Sequence, residues 1–513
     1  MKYTEYMAMS PMQRFWYNVK NFLAAIPVGI GNFFKAIGKG IVNFFKGLGK
    51  AIADFFVGFV RGDIFTKLSY FIMGTGNICH GQIVKGLIFL AVEVGYIAFM
   101  VFFGVEYLSL FGNLHAVYTP ERVVNLPGGK GQRIEAPKVV EGYESVKILL
   151  FGILAIMVTV VFITMYFVST KSARKVDAMV KKGERVPKFR DERKELLNSK
   201  FHATMLSTPI VLISIFVILP LLFMIVMAFT NFTGQNRPDF GWVGFDNFAD
   251  IFATSDNGGA TMGSTFLKLT GWTLIWAVAA TFSNYVLGMI VALMINKKGI
   301  KLKKLWRTMF VMTIAVPQFV TLLLMGQILG SEMHNPLNLI ISNLFNTTEP
   351  IKFLDSTLNN GLLPRIMVIV VNCWVGIPYT ILMTTGILMN IPEDLYESAR
   401  IDGAGPVKSF TKITLPYMLF VTTPYLITTF IGNVNNFNVI FLLTGGGPID
   451  NIAYKNGAGR TDLLITWLYQ LSVDNQLYGL GAAIGILVFV VCATLSLITF
   501  NMTKSAKNEE EFS

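Results

Sequence analysis

Long apolar runs alternate with short polar ones along most of the 513 residues. Eight runs approach or exceed the ~20 residues that a helix needs to cross a hydrocarbon core of roughly 30 Å. They cover, approximately, 84–105, 148–168, 206–229, 272–295, 308–330, 366–389, 417–443 and 480–500. Lipid offers such segments no water to satisfy their backbone, so each is expected to be helical. The pattern predicts an all-α polytopic membrane protein with about eight transmembrane helices. External stretches are expected at 106–146, 231–271, 331–363 and 444–479. The first carries the turn signal Pro127-Gly128-Gly129, the second the apolar anchors Trp242, Phe245 and Phe248, and the fourth opens on Gly445-Gly446-Gly447-Pro448.

Residues 1–65 follow another rule. Asn21-Phe22, Asn32-Phe33-Phe34-Lys35, Asn43-Phe44-Phe45-Lys46 and Asp54-Phe55-Phe56 recur at a spacing of eleven, and Lys39, Lys50 and Arg61 share the period. Eleven residues make close to three helical turns, so equivalent positions stay on one face. A phenylalanine stripe beside a lysine face describes a helix lying in the membrane interface. Its glycines (Gly38, Gly40, Gly47, Gly49) weaken that helix, and no cleavable signal peptide is expected.

Composition agrees with the pattern: 53% of residues are hydrophobic and 14% charged, where a soluble domain carries roughly a quarter charged. The net charge of +12 comes largely from two clusters, 171–200 and 297–307. Basic residues of that kind collect in cytoplasmic loops, which accounts for the charge without nucleic acid. With eight spans, both termini are then cytoplasmic. The chain divides into an interfacial region (1–65), two spans with their external loop (66–170), a basic cytoplasmic loop (171–205), a core (206–502) and a cytoplasmic tail (503–513).

The polar chemistry is sparse. Cys79, Cys373 and Cys492 lie far apart in apolar sequence and show no metal or disulfide spacing. Glu93 stands alone inside a span. Lys85 is eight residues away, so a hydrogen-bonded glutamic acid is expected there, and no chain of buried acids exists to relay protons. Neither catalytic residues nor a metal site are expected.

The segment between the sixth and seventh spans carries the most information. Pro392 suits a helix start, and Glu393 and Asp394 suit its positive end. Gly403, Gly405 and Pro406 must end that helix, and a second short helix then leads to Leu415-Pro416. Glu397-Ser398-Ala399, followed after three residues by Gly403 and then by Ile413 and Leu415-Pro416, resembles the coupling loop (390–416) of binding-protein-dependent ABC importers. Their pattern is Glu-Ala-Ala, three residues, Gly, nine residues, Ile, one residue, Leu-Pro, and the departure here is Ser398. The resemblance implies a type I ABC importer permease core. It also implies docking of Glu397, Ser398, Ala399, Asp402, Gly403, Ile413, Leu415 and Pro416 against a separate ATPase subunit. No Gly-x4-Gly-Lys-Ser/Thr phosphate loop occurs in the chain, so the protein is not expected to be an enzyme. ATP and Mg are expected on the partner ATPase, and no cofactor on this chain.

Three asparagines in an apolar segment, Asn433, Asn435 and Asn436, need a wet cavity or a polar partner. Asn433-Val434-Asn435-Asn436-Phe437, Leu442-Leu443-Thr444-Gly445-Gly446-Gly447-Pro448, Thr461-Asp462-Leu463-Leu464 and Trp374-Val375-Gly376-Ile377-Pro378-Tyr379 resemble the larger membrane subunit of maltose and maltodextrin importers over residues 84–502. By position, the resemblance implies an oligosaccharide site on Gln318, Val375, Gly376, Tyr379, Thr429, Gly432, Asn433 and Asn436. Gly432 replaces an aromatic residue and Gln318 a smaller hydroxyl, which leaves the sugar open, galacto-oligosaccharides included. The implied partners are a second permease subunit, two ATPase subunits, an extracellular sugar-binding lipoprotein and membrane lipid, in a bacterial plasma membrane. A secondary sugar transporter, the other class, predicts inverted repeats and buried ion-binding acids; neither pattern is seen.

Overall fold

The computed structural model describes residues 53–119, 122–125, 132–135, 137–253, 260–297 and 299–502, with Gln13 and isolated positions between 31 and 49. Most of the eleven-residue repeat and all of the 503–513 tail lie outside the described residues. Two compact units divide at Phe245 and Asp246.

The first unit opens with two short helices, α1 (Ile64–Leu68) and α2 (Thr75–Cys79), which lead into α3 (Ile83–Phe111). A π turn at Met100–Gly104 interrupts α3. An antiparallel hairpin follows, β1 (Arg122–Asn125) and β2 (Gln132–Glu135), with Arg122 opposite Glu135 and Asn125 opposite Gln132. Among the described residues this hairpin is the one sheet in an otherwise helical chain, and it sits in the loop expected to be external. Helices α4 (Ser145–Lys181), α5 (Phe189–Leu197) and α6 (Phe201–Met227) complete the unit. Aromatic rings join α3 to α4: Tyr96 stacks on Phe162 at 3.8 Å, and its hydroxyl lies 3.2 Å from that of Thr159. Glu93 accepts a hydrogen bond from the Met73 N–H at 2.7 Å, and Lys85 pairs with Glu192 instead, also at 2.7 Å. Trp242 is anchored as expected through Nε1 to the Phe111 carbonyl, at 2.9 Å, whereas Phe245 is largely exposed.

The second unit comprises α7 (Asp246–Phe252), α8 (Met262–Asn296), α9 (Lys303–Ala315), α10 (Gln318–Ile328), α11 (Pro336–Phe345), α12 (Leu362–Leu388), α13 (Glu393–Ile401), α14 (Pro406–Val434), α15 (Phe437–Leu443), α16 (Leu464–Tyr469) and α17 (Tyr478–Met502). Its core packs Trp272, Trp276 and Ala280 of α8 against Val368 and Val371 of α12, with Leu322 of α10 and Val439 and Ile440 of α15. Two glycines let α8 and α12 approach. A side chain on Gly288 would meet Thr380, and one on Gly376 would meet Asn284, each at 2.6 Å. Both contacts pair a glycine with a polar residue one helical turn along, the close small-residue packing used between membrane helices.

Among the described residues, seven helices are long and apolar enough to cross a membrane, or eight if α9 and α10 count as one broken span. Two expected spans are therefore corrected. The run 308–330 is bent by 90° between Ala315 and Gln318. Pro317 lacks an N–H and pushes Val316 into extended backbone (φ −77°, ψ 124°). The run 417–443 stops at Val434, and Asn436 starts α15 as its N-cap, accepting the Val439 N–H at 3.2 Å. The stretch 331–363, expected to be external, also contains a helix, α11, with Pro336 in its first turn.

Candidate substrate cavity and coupling surface

The break between α9 and α10 opens the interior of the second unit. A cavity of about 170 Å³ lies among α8, α10, α12 and α14. Gln318, Val375, Gly376, Tyr379, Thr429 and Asn433 line it, which brings six of the eight sequence-predicted sugar positions to one place. A wider cleft of about 450 Å³ adjoins at the break, sharing Gln318, Val375 and Tyr379 and adding Trp374 and Pro317. Gly432 and Asn436 do not line the cavity. A side chain at Gly432 would meet nothing within 4 Å, and Asn436 is occupied as the α15 cap.

The amides divide into two kinds. Asn433 is buried and partnered at both ends of its amide: its Nδ2 donates to Thr281 Oγ1 at 2.9 Å, and its Oδ1 accepts from Asn436 Nδ2 at 3.3 Å. Its carbonyl accepts from Trp276 Nε1 at 3.1 Å. By contrast Asn284 Oδ1 and Asn372 Nδ2, both buried on the cavity wall, have no hydrogen-bond partner. An unmet buried polar group costs about 1–3 kcal/mol, so an acceptor and a donor stand ready for a hydroxylated guest. The Tyr379 and Tyr425 rings lie 5.9 Å apart on the same wall. Sequence reasoning missed Asn284, Asn372 and Tyr425. The signal that found Asn433, an amide inside an apolar span, was present for the first two.

At the other informative segment, α13 starts after Pro392, which is its N-cap and not its first helical residue. Gly403 ends it with φ +74°. The Ala404 N–H donates to the Ala399 carbonyl at 2.8 Å and the Gly403 N–H to the Arg400 carbonyl at 3.0 Å, a Schellman stop that needs a left-handed residue. No separate second helix follows. Pro406 opens α14, which passes through a π turn at Phe410–Thr414 and runs on to Val434. Ile413, Leu415 and Pro416 therefore lie within the long helix. The Tyr396 hydroxyl lies 2.8 Å from that of Thr414 and braces α13 against α14. Glu397, Ser398, Asp402 and Gly403 face outward, and Ala399 is half-buried. Beside them Ile401 and Val407 are 87% and 76% exposed, apolar tips that sequence reasoning missed. A cleft of about 530 Å³ between α13 and the ends of α8 and α12 is bordered by Glu393, Glu397 and Arg400.

Residues 284–506 match the family described as the inner membrane component of binding-protein-dependent transport systems. The galactooligosaccharides transport system permease protein GanP of Bacillus subtilis (strain 168) is 32% identical over 442 residues, which are 85% of this chain and 97% of that protein. This chain belongs to that permease family. The maltodextrin transport system permease protein MdxF of the same organism is 32% identical over 446 residues, 86% of the permease described here and 95% of its relative. The crystal structure of a bacterial ABC transporter involved in importing the acidic polysaccharide alginate has 23% identity and a TM-score of 0.49. It covers 61% of the permease and 98% of its own chain. Its apolar spans and its family of inner membrane transport components make the permease a multi-pass bacterial membrane protein.

The permease closes its 444–463 loop with a buried acid. Asp462 Oδ2 accepts from the Gly459 N–H at 2.7 Å and from Gln470 Nε2 at 3.2 Å, and Oδ1 accepts from the Thr466 hydroxyl at 2.7 Å. Burial pushes this carboxyl up to about 6 against those bonds. Gly446, at φ +88°, packs against the carboxylate where a side chain has no room. Arg460 pairs with Asp450 and turns its carbonyl to Arg365 Nε at 2.8 Å, while the Arg365 guanidinium lies 4.5 Å over the Trp272 ring.

Proposed function

We propose that this permease is one of two membrane subunits of an ATP-driven importer that takes up maltodextrin-type oligosaccharides delivered by an external binding lipoprotein. The cavity carries the reading: it combines aromatic rings with an uncommitted amide acceptor and donor. That mixture suits a sugar, whose ring faces are apolar and whose edge carries hydroxyls. Gln318, Val375, Gly376, Tyr379, Thr429 and Asn433 are the proposed contacts, joined by Asn284 and Asn372. Gly432 and Asn436 would act from beside the cavity. One of two ATPase subunits, which would hold ATP and Mg, would dock on the exposed α13 surface through Glu397, Ser398, Ala399, Asp402 and Gly403. Ile413, Leu415 and Pro416 would carry that movement into α14. The core proposed for this work is 206–502, with the basic segments and both termini in the cytoplasm.

A second reading, import of galacto-oligosaccharides, is favoured by the length and identity of the GanP match. Proteoliposomes holding the complete transporter, ATP inside and the cognate binding protein outside decide between them. Uptake of labelled maltotriose that unlabelled maltodextrin competes supports the first reading. Competition by galacto-oligosaccharide alone supports the second, and ATP-dependent uptake of neither overturns the oligosaccharide assignment.

A further inference from the structure

Far from the cavity in sequence, three polar side chains of the first unit converge where the chain leading into α3 crosses α4. Asp63 caps α1, His80 follows α2, and Asp177 lies near the end of α4. One ligand atom from each lies within 4.8 Å of the other two. His80 and Asp177 side chains are each 9% exposed.

The hydrogen bonds around them fix which atoms face inward. His80 Nδ1 lies 2.6 Å from the Gly76 carbonyl, and a carbonyl only accepts, so Nδ1 carries a proton. Asp63 Oδ1 is taken by the Thr66 N–H at 2.7 Å. What remains is His80 Nε2 facing Asp63 Oδ2 at 3.1 Å. A neutral imidazole would set a lone pair against a carboxylate oxygen, which repel, so either a second proton or a metal ion sits at Nε2. Asp177 brings a second carboxylate to the same point. Its Oδ2 accepts from Lys181 at 2.7 Å, and that ammonium is shared with the Arg61 carbonyl at 3.0 Å. A second proton on His80 answers one carboxylate. A metal ion answers the nitrogen and both carboxylates together.

We propose that Asp63, His80 and Asp177 bind one divalent transition-metal ion, of the manganese-to-zinc series that takes one imidazole and two carboxylates. An imidazole held by a carbonyl on its far nitrogen is the usual arrangement of a metal-bound histidine, and this donor set suits zinc or manganese. Ligand bonds of about 2.0–2.2 Å place neighbouring ligand atoms roughly 3.0–3.6 Å apart; His80 Nε2 and Asp63 Oδ2 already meet that at 3.1 Å, and the Asp177 carboxylate lies within 4.8 Å of both. The ion would pin α1 and α2 to α4.

The test uses the full chain carrying Cys79→Ser, because Cys79 is a free, exposed thiol next to His80. The purified protein in lipid–detergent micelles is stripped with a chelator and titrated with Mn²⁺, followed by electron paramagnetic resonance, and with Zn²⁺, followed by mass spectrometry of bound metal. One equivalent is expected, with a higher unfolding midpoint on binding. His80→Ala and Asp177→Asn should weaken binding by more than about tenfold. Asp63→Asn keeps a capping oxygen and serves as the variant that folds. Absence of binding by the parent protein overturns the proposal and leaves a protonated His80 between the carboxylates. Binding that survives all three substitutions equally also overturns it.

Discussion

The side-chain amide of Asn284 occupies the space that Gly376 leaves empty: a Cβ on Gly376 would stand 2.6 Å from Asn284 Nδ2. One residue of α12 thereby sets both how closely α8 approaches and how Asn284 faces the cavity.

Gly376→Ala should therefore disturb the site and the packing together. Overfilling a tight contact costs about 1–3 kcal/mol, seen as a lowered unfolding midpoint, and uptake should fall with it. Gly432→Ala is the matched control. Nothing stands within 4 Å of its Cβ, and a helical alanine is favoured over glycine by up to about 1 kcal/mol. Equal midpoints for the two variants would refute the packing account.

The two kinds of asparagine should separate in the same assays. Asn433→Leu strips Thr281 and Asn436 of a partner, so stability should drop by about 1–3 kcal/mol along with uptake. Asn372→Leu removes a donor that already lacks a partner. It should leave stability unchanged or raised while uptake is lost. Normal uptake by Asn372→Leu would show that this amide does not meet the sugar.

Glu397→Lys reverses a charge on the exposed face of α13, and Ile401→Asp places charge on its most exposed apolar tip. Both should abolish sugar-stimulated ATP hydrolysis in proteoliposomes while the purified chain unfolds at its usual temperature. Undiminished stimulation in both would remove α13 from the docking surface.

Asp462 gives a pH dependence of definite sign. Its carboxyl titrates at about 6 in the folded protein against 3.8 ordinarily. The folded state binds this proton more tightly than the unfolded one, so its stabilising contribution is full below about pH 4. It is lost as pH rises through about 6 and stays flat above. Asp462→Asn should erase that part of the pH dependence, measured as the difference in unfolding midpoint between about pH 5 and pH 7.5. An identical slope in parent and variant would contradict it.

The spans were legible because length and apolarity alone decide them. The two corrected ones carried their own signals, Pro317 in mid-run and the Asn435-Asn436 pair, both outweighed by average hydropathy. The docking motif was read from spacing alone, but the continuity of α14 through Pro416 was hidden, since a proline in a first turn and one inside a helix look alike in sequence. What sequence could not give was which amides are committed. Asn433 Nδ2 is satisfied by Thr281, 152 residues away, and Asn372 Nδ2 has no partner, a difference made by tertiary packing. The β1–β2 hairpin depends likewise on pairing across a turn, which the Pro127-Gly128-Gly129 signal marked only as a turn.

The right-angle break at Pro317 has a bearing on solvent. A helix that begins at Gln318 leaves its first N–H groups without partners inside the helix, and one that stops at Ala315 leaves its last carbonyls so. Hydrocarbon cannot meet either set; irregular backbone at membrane depth survives only against protein or water. The free N–H and C=O groups at the lip of the cleft must therefore meet protein or water, which makes this broken wall a polar seam in an otherwise apolar span.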